Sequence, residues 1–324
     1  MTIIVTGGAG FLGSHLCEKL LENGEEVICI DNLITGSEDN VSHLKNNPNF
    51  KFIEADASWG LPEGILNQRP KGGRVVQDDI RQIYHMASPA SPNKNNPKSY
   101  IALPFETMKV NTMGTMKLCE NAVKLGAKFL FASTSEVYGD PEESPQKETY
   151  NGNASTIGPR SVYDESKRFG ETITSAFVRS KELDGRIVRI FNTYGPRMSD
   201  DGRVVIEFIE AAQKGNPIPV FGDGSQTRSF MFVSDLVDGL ILAMDRGDKG
   251  EVYNLGNPTE FTIMELAAKV KEITNSQSEI KEVEDLPEDD PKQRCPDITK
   301  AKNELGWEPK VELDEGLKLL IKAL

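Results

Sequence analysis

"TIIVTGGAGFLGSHL", residues 2–16, runs from a β-branched segment through a glycine-rich turn into leucines at helical spacing. Gly7, Gly10 and Gly13 fall in and just after the turn. Glycine spacing alone is a weak signal, but its context here is specific: a strand precedes, a helix follows, and Asp31 closes the next apolar run, "EVICID", about 20 residues on. A pyrophosphate resting on backbone N–H groups at a helix N-terminus needs glycine there, because a β-carbon would hold it away.

The same rhythm continues outward. "FKFIEAD", "QIYHMAS" and "KFLFAST" read as further strands, with "GSHLCEKLLENG" and "GTMKLCENAVKLG" as amphipathic helices. Leu12, Leu16 and Leu20 share one helical face before Gly24. Met116, Cys119 and Val123 do the same before Gly126, and both faces are expected to point into the core. Strands this apolar on both sides belong in a parallel sheet covered by helices, an α/β, Rossmann-type, doubly wound fold. Beyond about residue 170 the elements shorten between Pro- and Gly-marked turns. We expect residues 1–170 to form the dinucleotide-binding domain and residues 171–324 a smaller lobe, with "GRIVRIF" and "EVYNLG" as strands that return to the first sheet. The stretch from Ser276, "SQSEIKEVEDLPEDDPKQR", and residues 58–79 read as loops.

With 324 residues, 38% of them hydrophobic, the chain can bury a large core. Its net charge of −13 argues against a general nucleic-acid or anionic-membrane binder. Four scattered cysteines and three histidines predict neither a disulfide framework nor a metal site. With no signal-like start and no long apolar run, the expectation is a soluble, cytoplasmic protein.

The chemistry concentrates in two places. Asp31 would accept hydrogen bonds from an adenosine ribose and repel a 2′-phosphate, favouring NAD over NADP, and Asp56 could meet the adenine. In "SVYDESK", residues 161–167, Tyr163 and Lys167 lie four apart and would share a helix face. Bringing a phenol from a pKa near 10 to about 7 takes roughly 4 kcal/mol. An ammonium about 4 Å away at an effective dielectric of about 20 supplies an energy of that order. The pair could then remove a hydroxyl proton while hydride leaves the same carbon for NAD. "FLFASTSEVYG" places Ser133, Thr134, Ser135 and Glu136 at the carboxyl edge of the sheet, where Thr134 could bond a sugar hydroxyl and Glu136 could move a second proton.

Together "TGGAGFLGSHL", "HMASPASP", "STSEVYGDP", "GPRSVYDESKR", "RIFNTYGPRM", "DDGRVV", "GDGSQTRSFMFVSDLVDGL" and "DDPKQRCPDITKAKNELGWEP" resemble the extended short-chain dehydrogenase/reductase family acting on nucleotide sugars. "ASPASP", "GPRSVYDESKR" and "PKQRCPD" are most similar to its UDP-glucuronate decarboxylase branch. The resemblance covers nearly the whole chain. It implies a lobe for the nucleotide sugar, a homodimer, and decarboxylation of UDP-glucuronate to UDP-xylose through a 4-keto sugar. It assigns Tyr163 as base, Lys167 as its partner and ribose ligand, and Thr134, Ser135 and Glu136 as sugar-side catalytic residues. Arg294 falls near the departing carboxylate, and Asn192, Arg203 and Arg228 on the nucleotide diphosphate. Phe11, Leu12, Asn32, Ala87 and Ser88 join the cofactor set, and Tyr100 approaches the sugar. Residues 58–79 and 91–104 are longer than the family's usual segments and flank both sites. A 4,6-dehydratase or a 4-epimerase would share the oxidation, although many dehydratases carry Asp where this chain has Ser135. A non-catalytic NAD-binding regulator fits less well with Tyr163, Lys167 and Glu136 all in place.

Overall fold

The computed structural model describes residues 1–66, 80–199, 202–283 and 293–324. In the first half, β1 (Thr2–Thr6), α1 (Phe11–Glu22), β2 (Glu26–Asp31), β3 (Phe50–Glu54), a short α2 (Glu63–Leu66) and β4 (Ile80–His85) precede the paired helices α3 (Pro104–Lys109) and α4 (Thr115–Leu125). Then come β5 (Lys128–Thr134), the long α5 (Ser161–Lys181), β6 (Gly185–Ile190) and β7 (Thr193–Tyr194). The remainder holds α6 (Val204–Lys214), β8 (Ile218–Val220), β9 (Thr227–Ser229), β10 (Met231–Phe232), α7 (Val233–Arg246) and β11 (Val252–Leu255). It ends with β12 (Glu260–Thr262), α8 (Ile263–Ile273), β13 (Ile280–Glu282) and α9 (Leu313–Ala323).

Seven strands form one sheet in the order β11-β6-β5-β4-β1-β2-β3. Every neighbouring pair is parallel, and its strands are buried from both faces by helices, which is why they read as continuous apolar runs. The order reverses between β1 and β4, so successive crossovers diverge and leave a crevice beyond the carboxyl ends of these strands. His85 fixes that edge. Its Nδ1 pairs with Thr6 Oγ1 at 2.8 Å and its Nε2 with the Val110 carbonyl at 3.2 Å. Burial, with Lys167 adding to it, pushes the imidazole down to about 3, so the ring is neutral.

Two details differ from the simplest reading, the buried face of α4 and the stretch from Ser276. On α4 the buried face is Thr115, Leu118, Cys119 and Ala122, whereas Met116 and Val123 are 41% and 39% exposed. Two stripes meeting at Cys119 fit the helical period equally well, and packing selects the one whose Leu118, Cys119 and Ala122 join Ile4, Ile83 and Phe129 of the sheet in one hydrophobic cluster. The long helix α5 runs through position 170, and "GRIVRIF" and "EVYNLG" contribute β6 and β11 to the main sheet. The charge-dense stretch from Ser276 contributes β13, which pairs with β8, while residues 284–292 and 67–79 lie outside the described residues.

Outside the main sheet, α6, α8 and α9 pack around short strand pairs and share one hydrophobic cluster with β1 and α1. Asp235 on α7 ties down the segment before α9: its Oδ2 accepts from the amides of Lys310 and Val311 at 2.9 and 2.8 Å, and its carbonyl from Trp307 Nε1 at 2.9 Å. Among the described residues no helix is long and apolar enough to cross a membrane. All four cysteines are buried free thiols.

The start of α1 sits hard against the glycine turn. A β-carbon at Gly13 would lie 2.1 Å from the Gly7 carbonyl oxygen and 2.7 Å from Gly8 Cα, both backbone atoms that cannot swing aside. Gly13→Ala is therefore expected to cost about 2 kcal/mol or more, read as a lower denaturation midpoint. A midpoint unchanged from wild type would show that α1 can shift away from β1 without loss.

Candidate active site

The crevice beyond β1 and β4 is a cavity of about 510 Å³. Gly7, Gly10, Phe11, Leu12, Gly13, Asp31, Asn32, Asp56, Ala87 and Ser88 all line it. Gly10 is the N-cap of α1, and a β-carbon there would meet only the Gly7 carbonyl, at 3.2 Å, so its other side is open. Phosphate oxygens could come down on the helix N-terminus at that point. The buried Asp31 carboxylate is already oriented: Oδ2 accepts from the Ala9 amide at 2.9 Å and Oδ1 from the Leu33 amide at 2.8 Å. Burial raises its pKa, against the pull of those amides, and its remaining lone pairs suit two ribose hydroxyls. Asp56 caps the next turn through Ser58 N at 2.9 Å. These residues fit NAD. The cavity also takes in Thr35, Ser58, Met86 and Lys98, which sequence reasoning missed. Thr35 follows Asp31 closely enough in the chain to have been noticed, whereas Lys98 arrives only through folding of the lengthened 91–104 segment.

The catalytic candidates do not line that cavity. They form a buried cluster fed by the end of β5, the start of α5 and the segment around residue 294. The Tyr163 ring stacks on Tyr100, with centroids 4.9 Å apart and planes at 10°. Thr134 lies beside the Tyr163 phenol, pulling its pKa down, and caps the turn Ser135–Tyr138 by accepting from the Glu136 amide at 3.2 Å. Ser135 is buried in that turn.

Lys167 is buried, and its Nζ donates to the Ala132 carbonyl at 2.7 Å while lying 5.7 Å from the centre of the Tyr163 ring. Burial lowers the lysine to about 7, with Glu171 opposing. The expected depression of Tyr163 is not what this geometry gives. Burial raises the phenol and the Glu136 and Asp164 carboxylates add to it, while Thr134 and Arg203 pull it down. Helical spacing brought the phenol and the ammonium together as foreseen, but desolvation of both outweighs their mutual effect.

Glu136 is gripped from two sides. Its Oε2 accepts from Arg160 and its Oε1 from Arg294 Nη1 at 2.5 Å. Burial pushes the carboxyl up, yet the two guanidinium groups outweigh it and hold it at about 2. Two members of this cluster escaped sequence reasoning. Arg160 precedes α5, and its carbonyl accepts from the Tyr163 and Asp164 amides at 3.0 and 3.1 Å. Asp164 is buried, and burial together with Glu136 raises it to about 7, against Arg160 and Arg294. Both stand inside the quoted motif "GPRSVYDESKR", but neither is distinguishable there from a surface charge. Among the described residues, Tyr100 Oη, Asp164 Oδ1 and Arg294 Nε are buried without a hydrogen-bond partner. Each such atom costs about 1–3 kcal/mol, and a ligand rich in hydroxyl and carboxylate groups would satisfy donors and acceptors alike.

The remaining candidates are more dispersed. Arg203, at the N-cap of α6, lies over the Phe11 ring at 5.8 Å and lines the cofactor cavity. Arg228 is buried on β9 and donates to the Thr227 carbonyl at 2.8 Å, and the Asn192 carbonyl accepts from Met231 N at 2.9 Å. Neither Arg228 nor Asn192 lines that cavity. The next residue on β9, Ser229, touches the Arg294 carbonyl at 3.5 Å and so links this strand to the cluster.

Two outcomes follow from this geometry. Gly10→Ala should fold normally but bind NAD at least about tenfold more weakly by calorimetry, because its methyl group would occupy the open side of the turn. Unaltered affinity would place the phosphates elsewhere. For Asp164 the folded pKa is raised, so the folded chain keeps a proton that the unfolded chain has released between about pH 4 and 7. Its contribution to stability is thus greatest below that window and is lost as pH rises through it. Asp164→Asn should gain stability relative to wild type between pH 5 and 8, by roughly 3 kcal/mol in chemical denaturation. A pH-independent difference would mean that Asp164 ionises normally.

A family model described as GDP-mannose 4,6 dehydratase matches residues 4–320. UDP-glucuronic acid decarboxylase 4 of Arabidopsis thaliana is 50% identical over 323 residues, covering 99% of this chain and 68% of the relative. UDP-glucuronic acid decarboxylase 5 of the same plant is 50% identical over 322 residues, covering 99% and 88%. Among solved structures, a UDP-glucose 4-epimerase of Thermotoga maritima with UDP-glucose superposes with a TM-score of 0.83 at 34% identity, covering 100% of this chain and 98% of the other. A dTDP-glucose 4,6-dehydratase of Streptomyces venezuelae with bound NAD gives 0.85 at 28%, covering 100% and 96%. A UDP-glucuronic acid 4-epimerase of Bacillus cereus, in complex with UDP-glucuronic acid and NAD, gives 0.81 at 29%, covering 100% and 98%. With a doubly wound parallel sheet, a cavity that fits NAD, and half of its residues shared along its whole length with those decarboxylases, the chain belongs to the nucleotide-sugar branch of the extended short-chain dehydrogenase/reductases, in the UDP-glucuronic acid decarboxylase family.

Proposed function

We propose that this protein converts UDP-glucuronate to UDP-xylose and carbon dioxide, acting in the cytoplasm as a homodimer. The observation that carries the reading is Arg294: a buried guanidinium with an unpaired Nε beside Glu136, in a cluster that also holds Tyr163 and Thr134. A buried fixed cation suits a sugar that bears a carboxylate and is of no use to a neutral hexose.

The residues divide the work as follows. Gly7, Gly10, Phe11, Leu12, Gly13, Asp31, Asn32, Asp56, Ala87 and Ser88 hold NAD along the cavity; Lys167, in the neighbouring cluster beside Tyr163, is the group that reaches its nicotinamide ribose. Bound NAD supplies the acceptor for hydride from sugar carbon 4 and the donor that later restores it. Tyr163 takes the proton of the 4-hydroxyl once the positive charge of bound NAD offsets the burial that otherwise keeps its phenol protonated, with Thr134 beside the phenol and Lys167 beneath the ring. The resulting ketone lies β to the carboxylate, so the bond from carbon 5 to the carboxylate carbon breaks and its electron pair passes into the enolate. Carbon 5 is then reprotonated, and Tyr163 returns its proton to the oxygen at carbon 4 as the ketone is reduced. Arg294 positions the carboxylate, Tyr100 and Ser135 border the sugar, and Asn192, Arg203 and Arg228 hold the nucleotide diphosphate.

A 4,6-dehydratase would need Glu136 to accept a proton from carbon 5. A carboxylate held at about 2 by two arginines is a weak base, which disfavours that reading. A 4-epimerase remains the second reading, because the Bacillus cereus neighbour takes UDP-glucuronic acid on the same fold. The homodimer reading is supported by apolar side chains left exposed on neighbouring helices: Phe105 and Met108 on α3, Met116 and Val123 on α4, and Phe169 on α5.

Incubated with UDP-glucuronate and NAD, the protein should release carbon dioxide and form a UDP-pentose by mass spectrometry, with no net NADH. Tyr163→Phe should slow this by about 10²–10⁴-fold. A product of unchanged mass with altered stereochemistry would instead establish the epimerase. In light scattering the wild type should be dimeric and Phe169→Glu monomeric, whereas a monomeric wild type would refute the docking of these helices.

A further inference from the structure

Glu136 is a buried anion with two cations, and the two come from different parts of the fold. Arg160 stands at the start of α5, fixed by its carbonyl to the amides of Tyr163 and Asp164 at 3.0 and 3.1 Å. Arg294 belongs to a segment held elsewhere: its neighbour Cys295 donates through its amide to Gln146 Oε1 at 2.9 Å, and its own carbonyl meets Ser229 Oγ at 3.5 Å. Each arginine takes a different oxygen of Glu136. Arg294 therefore has a split allegiance: Nη1 is engaged by Glu136, while Nε faces no partner among the described residues.

A carboxylate arriving on Arg294 competes with Glu136 for the same guanidinium. Were Arg294 the sole partner of Glu136, binding the substrate acid would strand a second carboxylate in the interior without a counter-charge. Resting on the decarboxylase reading, we propose that Arg160 is a positioning residue that retains Glu136 through its second oxygen, releasing Arg294 to the substrate carboxylate. Arg160 then sets selectivity for acid over neutral nucleotide sugars without touching the sugar. Asp164 fits this scheme. It lies one helical turn from Arg160 and would be a rival for that guanidinium, but burial and the Glu136 charge raise its pKa to about 7, so below that pH it does not compete as an anion.

The test is a binding cycle over Arg160→Gln, Glu136→Gln and the double variant, with the ratio of Kd for UDP-glucuronate to Kd for UDP measured by calorimetry below pH 7. UDP lacks the carboxylate, so a general loss of folding or of nucleotide affinity cancels in the ratio. Arg160→Gln is expected to raise the ratio about tenfold or more, because Glu136 then occupies Arg294. Combined with Glu136→Gln, the same change should alter the ratio by less than about twofold, since no anion is left to compete. Arg160→Lys, which keeps the charge, should recover much of the loss. An unchanged ratio in Arg160→Gln, or an equal change in both backgrounds, would overturn the role given to Arg160. If wild type releases no carbon dioxide from UDP-glucuronate, the underlying function falls instead, and that separate assay tells the two failures apart.

Discussion

The buried carboxylate of Glu136 is the point on which the site turns. An isolated anion at that depth would cost several kcal/mol, so the fold has to bring cations to it. One comes from the start of α5 and the other from the segment near residue 294, while Glu136 itself rides on the turn after β5. Satisfying this charge therefore draws together the end of the parallel sheet, the helix carrying Tyr163 and Lys167, and the carboxyl-terminal segment. Compensation is local, and its consequence is global: three distant parts of the chain meet at one carboxylate.

Desolvation is the common cause behind the unusual ionisation in this region. It lowers Lys167 and His85, raises Tyr163 and Asp164, and is overcome at Glu136 only because two guanidinium groups are in contact. Structural ion pairs nearby obey the same rule with a different result. Arg189 meets both oxygens of Glu171 at 2.9 and 2.7 Å and also donates to Tyr138 Oη at 2.9 Å, which leaves the pair satisfied and pins α5 to β6. The cluster around Glu136 differs in keeping three polar atoms without partners. A fold tolerates that expense where a ligand is to supply the missing bonds.

Much of the architecture was legible in the residues, and the reason is periodicity. The strands are apolar on both faces because helices cover both sides of the sheet, and the glycine turn with Asp31 is a local arrangement that needs little of the rest of the chain. The buried face of α4 was misread because Cys119 belongs to two stripes of equal periodicity, and only packing on the rest of the fold decides between them. The coupling of Tyr163 to Lys167 was half legible. Spacing gives their proximity, but it does not reveal that the ammonium is spent on the Ala132 carbonyl or that both groups are shut away from water. Arg160 and Asp164 were not legible as members of the site, because a charge next to a catalytic motif looks the same whether it faces solvent or a buried partner.

The same reasoning explains why the carboxyl-terminal segment matters to a site built mainly by the first half of the chain. Gln146 and Pro296 form an isolated parallel bridge, with Gln146 N donating to the Cys295 carbonyl at 2.8 Å and Asp297 N to the Gln146 carbonyl at 2.8 Å. Asn254 on β11 donates to the Gln146 and Asp297 carbonyls at 3.0 and 3.2 Å and accepts from Tyr138 Oη at 2.8 Å. Arg294 is therefore tethered to the edge of the main sheet through the Asn254 side chain and the backbone of its neighbours rather than by its own salt bridge. The segment that carries Arg294 is thus held independently of the pair with Glu136, the arrangement that the role proposed for its guanidinium requires.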